Sequence, residues 1–155
     1  MNNLWVHSEP LALEGRSILL ALEPSALNEM IMPELQRAGM QTRIAASLEE
    51  AARQITFSPP EFLILSEGFG THQPHLNPLL TLVTRMPAAA RRNIIVVWVS
   101  PSVKTRDYLT AYALSVNLVV QPDYFQDLVR LLTETWREVL DLFGGYIQAR
   151  QQEQL

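Results

Sequence analysis

Residues 61–68 read Glu-Phe-Leu-Ile-Leu-Ser-Glu-Gly, and they give the clearest indication of the fold in the chain. A pair of prolines precedes it, glycine ends it, and most of the side chains between are apolar on both faces of an extended chain. The pattern predicts a central strand of a parallel sheet that helices cover on both sides. Sheets of this kind place their functional groups at the carboxyl ends of the strands, where this stretch offers Ser66 and Glu67.

The composition is that of one compact domain. The chain has 155 residues, of which 48 % are hydrophobic and 18 % charged, enough for a full core but too few for a second catalytic domain. Its net charge of −4 and isoelectric point near 5.3 argue against binding to nucleic acid or to an anionic membrane. The absence of cysteine excludes a disulfide framework, a thiolate zinc site and a cysteine nucleophile.

The first 16 residues contain apolar side chains without one clear period, and we interpret them as a leader or arm. They lack the charged segment followed by an apolar one that marks a secretory signal. No apolar run approaches the ~18 residues that a membrane helix needs. We therefore expect a cytoplasmic protein without membrane insertion.

Downstream of the leader, strand and helix patterns alternate five times. The predicted strands span residues 18–22, 41–46, 61–66, 93–99 and 117–120. Because parallel strands need right-handed helical crossovers, the alternation predicts an α/β, doubly wound sheet of five parallel strands in the flavodoxin-like order 2-1-3-4-5. We predict three segments, which are the leader at 1–16, the main domain at 17–137 and a C-terminal helical extension at 138–155.

Capping residues mark the starts of the predicted helices. Ser25, Ser47 and Asn77 each stand at a helix N-cap position, and Asp123 is predicted to cap the last and longest helix. The helix after the fourth strand is expected from about residue 102 to 115. The side chains predicted on its buried face are Val103, Leu109, Tyr112 and Ala113.

Over residues 17–137 the chain resembles the receiver domain of two-component response regulators. The resemblance rests on the order and length of the elements, on the Pro-Pro-Glu-Phe-Leu-Ile-Leu stretch at 59–65, on the glycine-containing loop after it, and on the last strand running into Gln121-Pro122. Receivers carry a Lys-Pro pair at that last position, so the proline is kept and the lysine is not. The resemblance implies the receiver fold and a role in bacterial signal transduction.

The resemblance also implies a phosphoryl-transfer site, from which this sequence departs. In receivers, an aspartate that ends the third strand accepts the phosphoryl group, and two acidic residues that end the first strand help to hold Mg²⁺. The acceptor position falls here on Ser66, which cannot form an acyl phosphate. The acidic pair falls on Leu22 and Glu23, so one of its two carboxylates is missing.

The remaining positions of the family's site differ as well. The hydroxyl that ends the fourth strand falls on Val99 or Ser100, depending on a shift of one residue. The lysine position falls on Gln121, and the switch aromatic of the fifth strand falls on Leu118. Loss of so many members together predicts a degenerate receiver, or pseudo-receiver.

A pseudo-receiver is expected to work without phosphorylation, as a protein–protein interaction module rather than an enzyme, and without a cofactor. We expect protein partners in a signalling assembly and a homodimer. The alternative is a small-molecule or metal sensor that uses the pocket at the carboxyl ends of the strands. The residues that would line this pocket are Glu23, Ser66, Glu67, His72 and Ser100.

His72 and His75 form an H-x-x-H spacing in the loop after the third strand, with Glu67 nearby in sequence. Two imidazoles and a carboxylate could hold zinc with one open position. Outside a helix the spacing fixes no geometry, so the pattern favours a polar loop without metal. Glu67 reads as a solvated loop carboxylate, or alternatively as a mimic of the phosphorylated state.

The last helix carries an apolar pattern that continues past the end of a normal receiver domain. Gly144-Gly145 interrupts the pattern, as a helix end or a weak hinge. The stripe packs back onto the domain in one interpretation. In the other, which we favour, the last two helices and the fifth strand form an interface with a partner or a second copy. The predicted interface residues are Leu128, Leu132, Trp136, Val139, Leu142, Phe143 and Tyr146.

Overall fold

The structure is a computed structural model that describes the backbone of residues 12–73 and 77–153, and the side chains of these residues up to 142. The predictions for residues 1–11, for His75 and for the side chains of Phe143 and Tyr146 lie outside the described residues. The strands are β1 Ser17–Ala21, β2 Gln41–Ile44, β3 Phe62–Ser66, β4 Ile95–Val99 and β5 Leu118–Val120. The helices are α1 Ala26–Arg37, α2 Leu48–Phe57, α3 Pro78–Thr84, α4 Ala88–Arg91, α5 Tyr108–Leu114 and α6 Leu128–Glu153, with a 3₁₀ helix at Pro122–Asp127 before α6.

The five strands form one parallel sheet in the order β2-β1-β3-β4-β5, which confirms the predicted fold class and strand order. Strand β3 lies at the centre, and all five of its side chains are buried. This is the environment that its unbroken apolar run predicts. Within the described backbone, no helix has both the length and the apolar character needed to cross a lipid bilayer.

Alternation along the strands divides the core into two layers. Phe62 and Ile64 of β3 join the layer that α1 and α6 cover, whereas Leu63 and Leu65 join the layer covered by α2, α3 and α5. Successive side chains of a strand point to opposite faces, so a doubly covered sheet needs apolar residues at every position. Leu13, at the end of the predicted leader, is also fully buried in the α1 and α6 layer.

Side-chain caps fix the starts of α2 and α3 as the sequence predicts. The Ser47 hydroxyl accepts a hydrogen bond from the Glu50 amide at 3.1 Å, and the Glu50 carboxylate accepts one from the Ala46 amide. Asn77 accepts from the amides of two residues in the first turn of α3. Ser25 stands at the N-cap of α1, but its side chain makes no capping hydrogen bond.

Helix α5 differs from its prediction in both length and orientation. The Asp107 carboxylate accepts hydrogen bonds from the amides of Leu109 and Thr110, so the helix begins at 108 rather than 102. In this shorter helix the side chain that faces the core is Ala111, whereas Leu109 and Tyr112 are 83 % and 86 % exposed. Ala113 is exposed as well, so the prediction that these three side chains are buried was wrong, because it assumed a helical phase set by residues that instead form turns.

Helix α6 also differs from its prediction at both ends. Asp123 lies in the 3₁₀ helix and does not cap α6, which begins at Leu128. The helix then continues through Gly144-Gly145 to Glu153, so the glycines neither end it nor interrupt it. A glycine costs about 1 kcal/mol relative to alanine within a helix but removes no backbone hydrogen bond, which is why two of them are compatible with continuation.

Candidate functional site

The candidate site lies at the carboxyl edge of the sheet, where the register brings the predicted pocket residues together. Ser66 pairs with Val99, and Val99 pairs with Val120 on the next strand. Ala21 pairs with Leu65, so Leu22 follows β1 at the level of Ser66. Leu22, Ser66 and Val99 are only 2–3 % exposed. The residue opposite Ser66 is therefore Val99, and Ser100 stands one residue beyond the strand.

The Ser66 hydroxyl is enclosed by apolar side chains. Ser66 follows Phe62 and Ile64 at intervals of two residues along β3, so its side chain is on the same face of the sheet as theirs. That face belongs to the α1 and α6 layer, which also contains Leu22 and Val99. Its Oγ atom is buried and has no hydrogen-bond partner among the residues that the structure describes. A buried hydroxyl without a partner costs about 1–3 kcal/mol. A serine nucleophile needs a base within hydrogen-bond reach, and none of the described residues is bonded to this oxygen.

Asn77 organises the loop that follows β3. This side chain is 1 % exposed, and its Nδ2 donates to the carbonyl oxygens of Ser66, Glu67 and Phe69 at 3.0–3.4 Å. The same side chain caps α3 through its Oδ1. An amide therefore holds the backbone just beyond the acceptor position. The sequence predicted the cap, but a contact ten residues upstream leaves no local signal.

The polar residues that end β4 and β5 are engaged by the loop between β4 and α5. Ser100 Oγ accepts a hydrogen bond from the Ser102 amide at 3.1 Å. The side-chain amide of Gln121 donates to the carbonyl oxygen of Val103, and its backbone N–H donates to Thr105 Oγ1 at 3.0 Å. The Gln121 side chain, which replaces the lysine of receivers, is therefore directed to the protein's own loop.

Charged groups at this edge lie outside the buried pocket. Glu23 is exposed, although its side chain passes above Gly68, and Glu67 is half-buried. His72 is exposed. Among the described residues, no three histidines, cysteines or acids cluster closely enough to hold a metal ion.

The residues present therefore do not fit Mg²⁺ and a phosphoryl group. One metal carboxylate is replaced by Leu22, which lies in the core. The acceptor position is a hydroxyl, Ser66, whose oxygen is closed off by apolar neighbours. Mg²⁺ requires several oxygen ligands in near-octahedral geometry, which an apolar pocket cannot supply.

The predicted interface on α6 divides into a buried part and an exposed part. Leu128 and Leu132 are 0 % exposed and belong to the α1 and α6 layer, so these two cannot contact a partner, and their assignment to an interface is corrected. They are buried because α6 covers the sheet at this level. Trp136 and Val139 pack partly against the same layer, whereas Leu142 is 74 % exposed.

Trp136 anchors α6 where the helix leaves the domain. The Arg16 guanidinium lies 4.4 Å from the centre of the Trp136 ring and forms an ion pair with Glu61 at 3.0 Å. The Phe62 ring also packs against Trp136, with 5.8 Å between the two ring centres. These contacts join the residue before β1, the start of β3 and the last helix.

An exposed aromatic surface on α5 was missed by the sequence analysis. Tyr108, Leu109 and Tyr112 are 59 %, 83 % and 86 % exposed, and we call them the α5 patch. Arg106 fixes this patch to α6, because it donates to the Tyr108 hydroxyl and forms an ion pair with Glu134 at 2.8 Å. The hydrogen bond with Tyr108, followed by nearby acidic charge, raises the pKa of Arg106 despite partial desolvation.

The strand order and the site at the carboxyl edge define a flavodoxin-like, doubly wound α/β domain. Solved structures identify the fold more narrowly as that of response regulator receiver domains. The receiver domain of the Francisella response regulator 1452 matches with a TM-score of 0.63 at 11 % identity, over 80 % of this chain and 98 % of that chain. A CheY-like receiver domain from Methanospirillum hungatei JF-1 matches with a TM-score of 0.61 at 14 % identity, over 83 % and 98 %.

A longer match includes more of this chain. It is a fusion that carries amino acids 181–211 of the yeast Spc42 trimeric coiled coil, with a TM-score of 0.64 at 15 % identity, over 91 % of this chain and 92 % of that chain. No family model matches the sequence, and no curated protein does. The resemblance to receivers is thus confirmed at the level of the fold.

Proposed function

We propose that this protein is a phosphorylation-independent pseudo-receiver, which acts by protein–protein contact in bacterial signal transduction. The receiver fold supports a regulatory role rather than an enzymatic one. The observation that carries the proposal is the buried Ser66 hydroxyl, which stands where receivers place their acceptor and has apolar neighbours. Neither a carboxylate acceptor nor the second metal carboxylate is present at the matching positions to run the receiver cycle.

The closed carboxyl edge supports the same proposal. Gln121 and Ser100 are bonded to the loop between β4 and α5, and Asn77 holds the loop after β3. These hydrogen bonds tie the loops at the edge of the sheet without the help of a ligand. We infer that the output of the module depends on whether a partner is bound rather than on a chemical change at this edge.

The contact surface that we propose consists of the α5 patch and the exposed part of α6. Large apolar side chains that are exposed together mark interaction surfaces more often than they mark ordinary solvent-facing surface. The three side chains of the α5 patch have this character, and Leu142 is a further large apolar side chain exposed on α6. Arg106 connects the two elements through Tyr108 and Glu134, so a partner would contact a fixed surface.

The alternative, a sensor that binds a small molecule at the carboxyl edge, has less support. Of the residues predicted to line that pocket, Ser66 is buried and Ser100 is bonded to Ser102. His72 is exposed and belongs to no described metal cluster. A ligand would have to displace the protein's own loop before it could reach either hydroxyl.

Recovery of partners from the native cell tests the contact role. The tagged wild-type protein and the double variant Leu109→Ser, Tyr112→Ser are compared, each with and without acetyl phosphate and Mg²⁺. Because both side chains are exposed, the variant should keep the wild-type thermal stability while losing the partner. Phe57→Ser, which removes an exposed apolar side chain from α2, is the matched control. Recovery that requires acetyl phosphate, or that survives the double variant, would contradict the proposal.

Light scattering tests the proposed homodimer. We expect a dimer that becomes a monomer when the chain is truncated after Arg137, because this removes the exposed part of α6 beyond the Trp136 anchor. A truncated protein of unchanged mass in solution would show that the extension does not mediate self-association. Circular dichroism and thermal melting would establish that the shortened domain is still folded.

A further inference from the structure

Strand β2 forms one edge of the sheet, and no described residue pairs with its outer side. It stands at the end of the strand order and pairs only with β1. The backbone amides of Gln41 and Ala45 donate inward at 2.9 Å, to carbonyl oxygens of β1 and of the residue before it. Backbone groups alternate in direction along a strand, so the N–H and C=O groups of Thr42 and Ile44 point outward. These four groups form a template for a further strand.

The side chains of Thr42 and Ile44 also lack neighbours at this edge. The register pairs Thr42 with Ile18 and Ile44 with Leu20, so both side chains lie on the face that α1 and α6 cover. Ile44 is nonetheless 43 % exposed. Thr42 Oγ1 is buried without a hydrogen-bond partner among the described residues. A neighbouring strand would cover the isoleucine and could offer a partner to the hydroxyl.

The segment of residues 1–11 joins the domain beside this edge. Leu13 is fully buried in the α1 and α6 layer, which is the layer that Ile44 faces. The Gly15 amide donates to the Gly39 carbonyl oxygen at 2.9 Å, two residues before β2 begins. The chain thus enters the domain at the amino end of β2.

We propose that residues 1–11 of the same chain form an edge strand antiparallel to β2. The direction follows from the entry point, because the segment must end where β2 begins. Antiparallel edge strands are common on otherwise parallel sheets of doubly wound folds. Eleven extended residues span up to about 36 Å and the four of β2 about 13 Å, so the segment is long enough. Its Leu4-Trp5-Val6 run supplies aromatic and β-branched side chains, which strands favour and which could cover Ile44.

This edge is remote from the proposed contact surface. Strands β2 and β5 form the two opposite edges of the sheet, and α5 packs beside β5. The pairing therefore does not depend on the proposed function.

Hydrogen exchange of the backbone amides, followed by NMR on the full chain, tests the pairing. Thr42 and Ile44 should be protected, because in an antiparallel pair each outward residue donates to the added strand. The double variant Trp5→Pro, Val6→Pro should speed exchange at these two positions at least about tenfold, since proline removes a donor and disrupts a strand. Trp5→Phe, Val6→Ile keeps the strand-forming character and is the matched control. The amide of Ala45, which donates to β1, should exchange equally slowly in all three proteins. Fast exchange of Thr42 and Ile44 in the wild type, or equal protection in the proline variant, would overturn the proposal.

A spin label identifies where the segment lies. Because the chain contains no cysteine, Ser8→Cys gives a single labelling position in the segment. Paramagnetic broadening should fall on the amides of residues 41–46. Broadening centred on residues 137–142 would show that the segment covers α6 instead. Broadening in a mixture of spin-labelled protein and ¹⁵N-labelled, cysteine-free protein would show that the strand comes from a second copy. Either of these two results would overturn the pairing within one chain.

Discussion

Replacing Ser66 by aspartate would restore the acceptor of a receiver at the level of sequence, and we predict that it destabilises this protein. The new carboxylate would lie at a position that is 2 % exposed, beside Leu22 and Val99. Among the described residues, no acidic cluster could hold a metal ion there to compensate its charge. Burial in apolar surroundings raises the pKa of a carboxyl group, so the folded variant would hold the introduced side chain in its protonated form.

The cost follows from the free energy of protonation. An unperturbed aspartate has a pKa of about 3.9, and each pH unit is worth about 1.36 kcal/mol, so keeping it neutral costs about 4 kcal/mol at pH 7 and about 1.5 kcal/mol at pH 5. Because the pKa in the folded state is raised, stability is lost as the pH rises above the unfolded value. A loss of about 4 kcal/mol is a large part of the roughly 5–15 kcal/mol that typically stabilises a domain.

Urea denaturation of the wild type and three variants, followed by tryptophan fluorescence at pH 5 and pH 7, measures these costs. Ser66→Asn has nearly the same shape as the aspartate but does not titrate, so its cost should be the same at both pH values. Ser66→Ala removes a hydroxyl without a partner and should match or exceed the wild type, by up to about 1 kcal/mol. A loss of stability for Ser66→Asp that is no larger at pH 7 than at pH 5, or a variant that Mg²⁺ stabilises, would contradict burial of the carboxylate in an apolar pocket.

Three further predictions concern the contacts that hold the loops and helices. Asn77→Ala should lower the free energy of unfolding in a urea titration by about 2–4 kcal/mol, because it removes a helix cap and leaves buried carbonyl groups without donors. Asn77→Ser should restore the cap and recover about 1 kcal/mol of this loss. Equal losses in the two variants would show that the cap is unimportant. Arg16→Met keeps the aliphatic stem but removes the ion pair and the contact of the guanidinium with Trp136. It should lower the free energy of unfolding by about 1 kcal/mol and shift the tryptophan emission. An unchanged emission spectrum would contradict the contact. The hydrogen bonds from Thr110 lower the pKa of Asp107 below its ordinary value near 3.8, so its contribution to stability is present above that value and is lost as the pH falls through the lower, folded value. Asp107→Asn should therefore flatten the acid limb of a pH-stability curve, and an unaltered limb would show that the cap contributes nothing.

The elements that follow from local chemistry were predictable from the sequence. An apolar run at β3, caps at Ser47 and Asn77, and five alternations were enough for the strand order, because parallel strands with helical crossovers allow few topologies. The phase of α5 was not predictable. It depends on Asp107 as the cap and on Arg106, which has a positive φ of 65° and whose backbone amide donates to the Val119 carbonyl of β5. Such contacts across the sheet leave no periodic signal.

The candidate site divides in the same way. The identity of the residues at the acceptor, metal and lysine positions could be read directly once the strands were aligned. The way in which the edge is closed could not be read. It depends on the buried Asn77 amide and on the bond from Gln121 to Val103, which join segments that are distant in sequence. The extent to which Leu128 and Leu132 are buried also required the position of α6 on the sheet.

We propose that this receiver fold does not accept a phosphoryl group. The most direct test of this claim is intact-protein mass spectrometry after incubation with acetyl phosphate and Mg²⁺, beside a receiver domain that has its complete acidic site as the positive control. We predict that the mass of this protein does not change under conditions in which the control gains one phosphoryl group. A stable gain of one phosphoryl group at stoichiometric yield would contradict the claim.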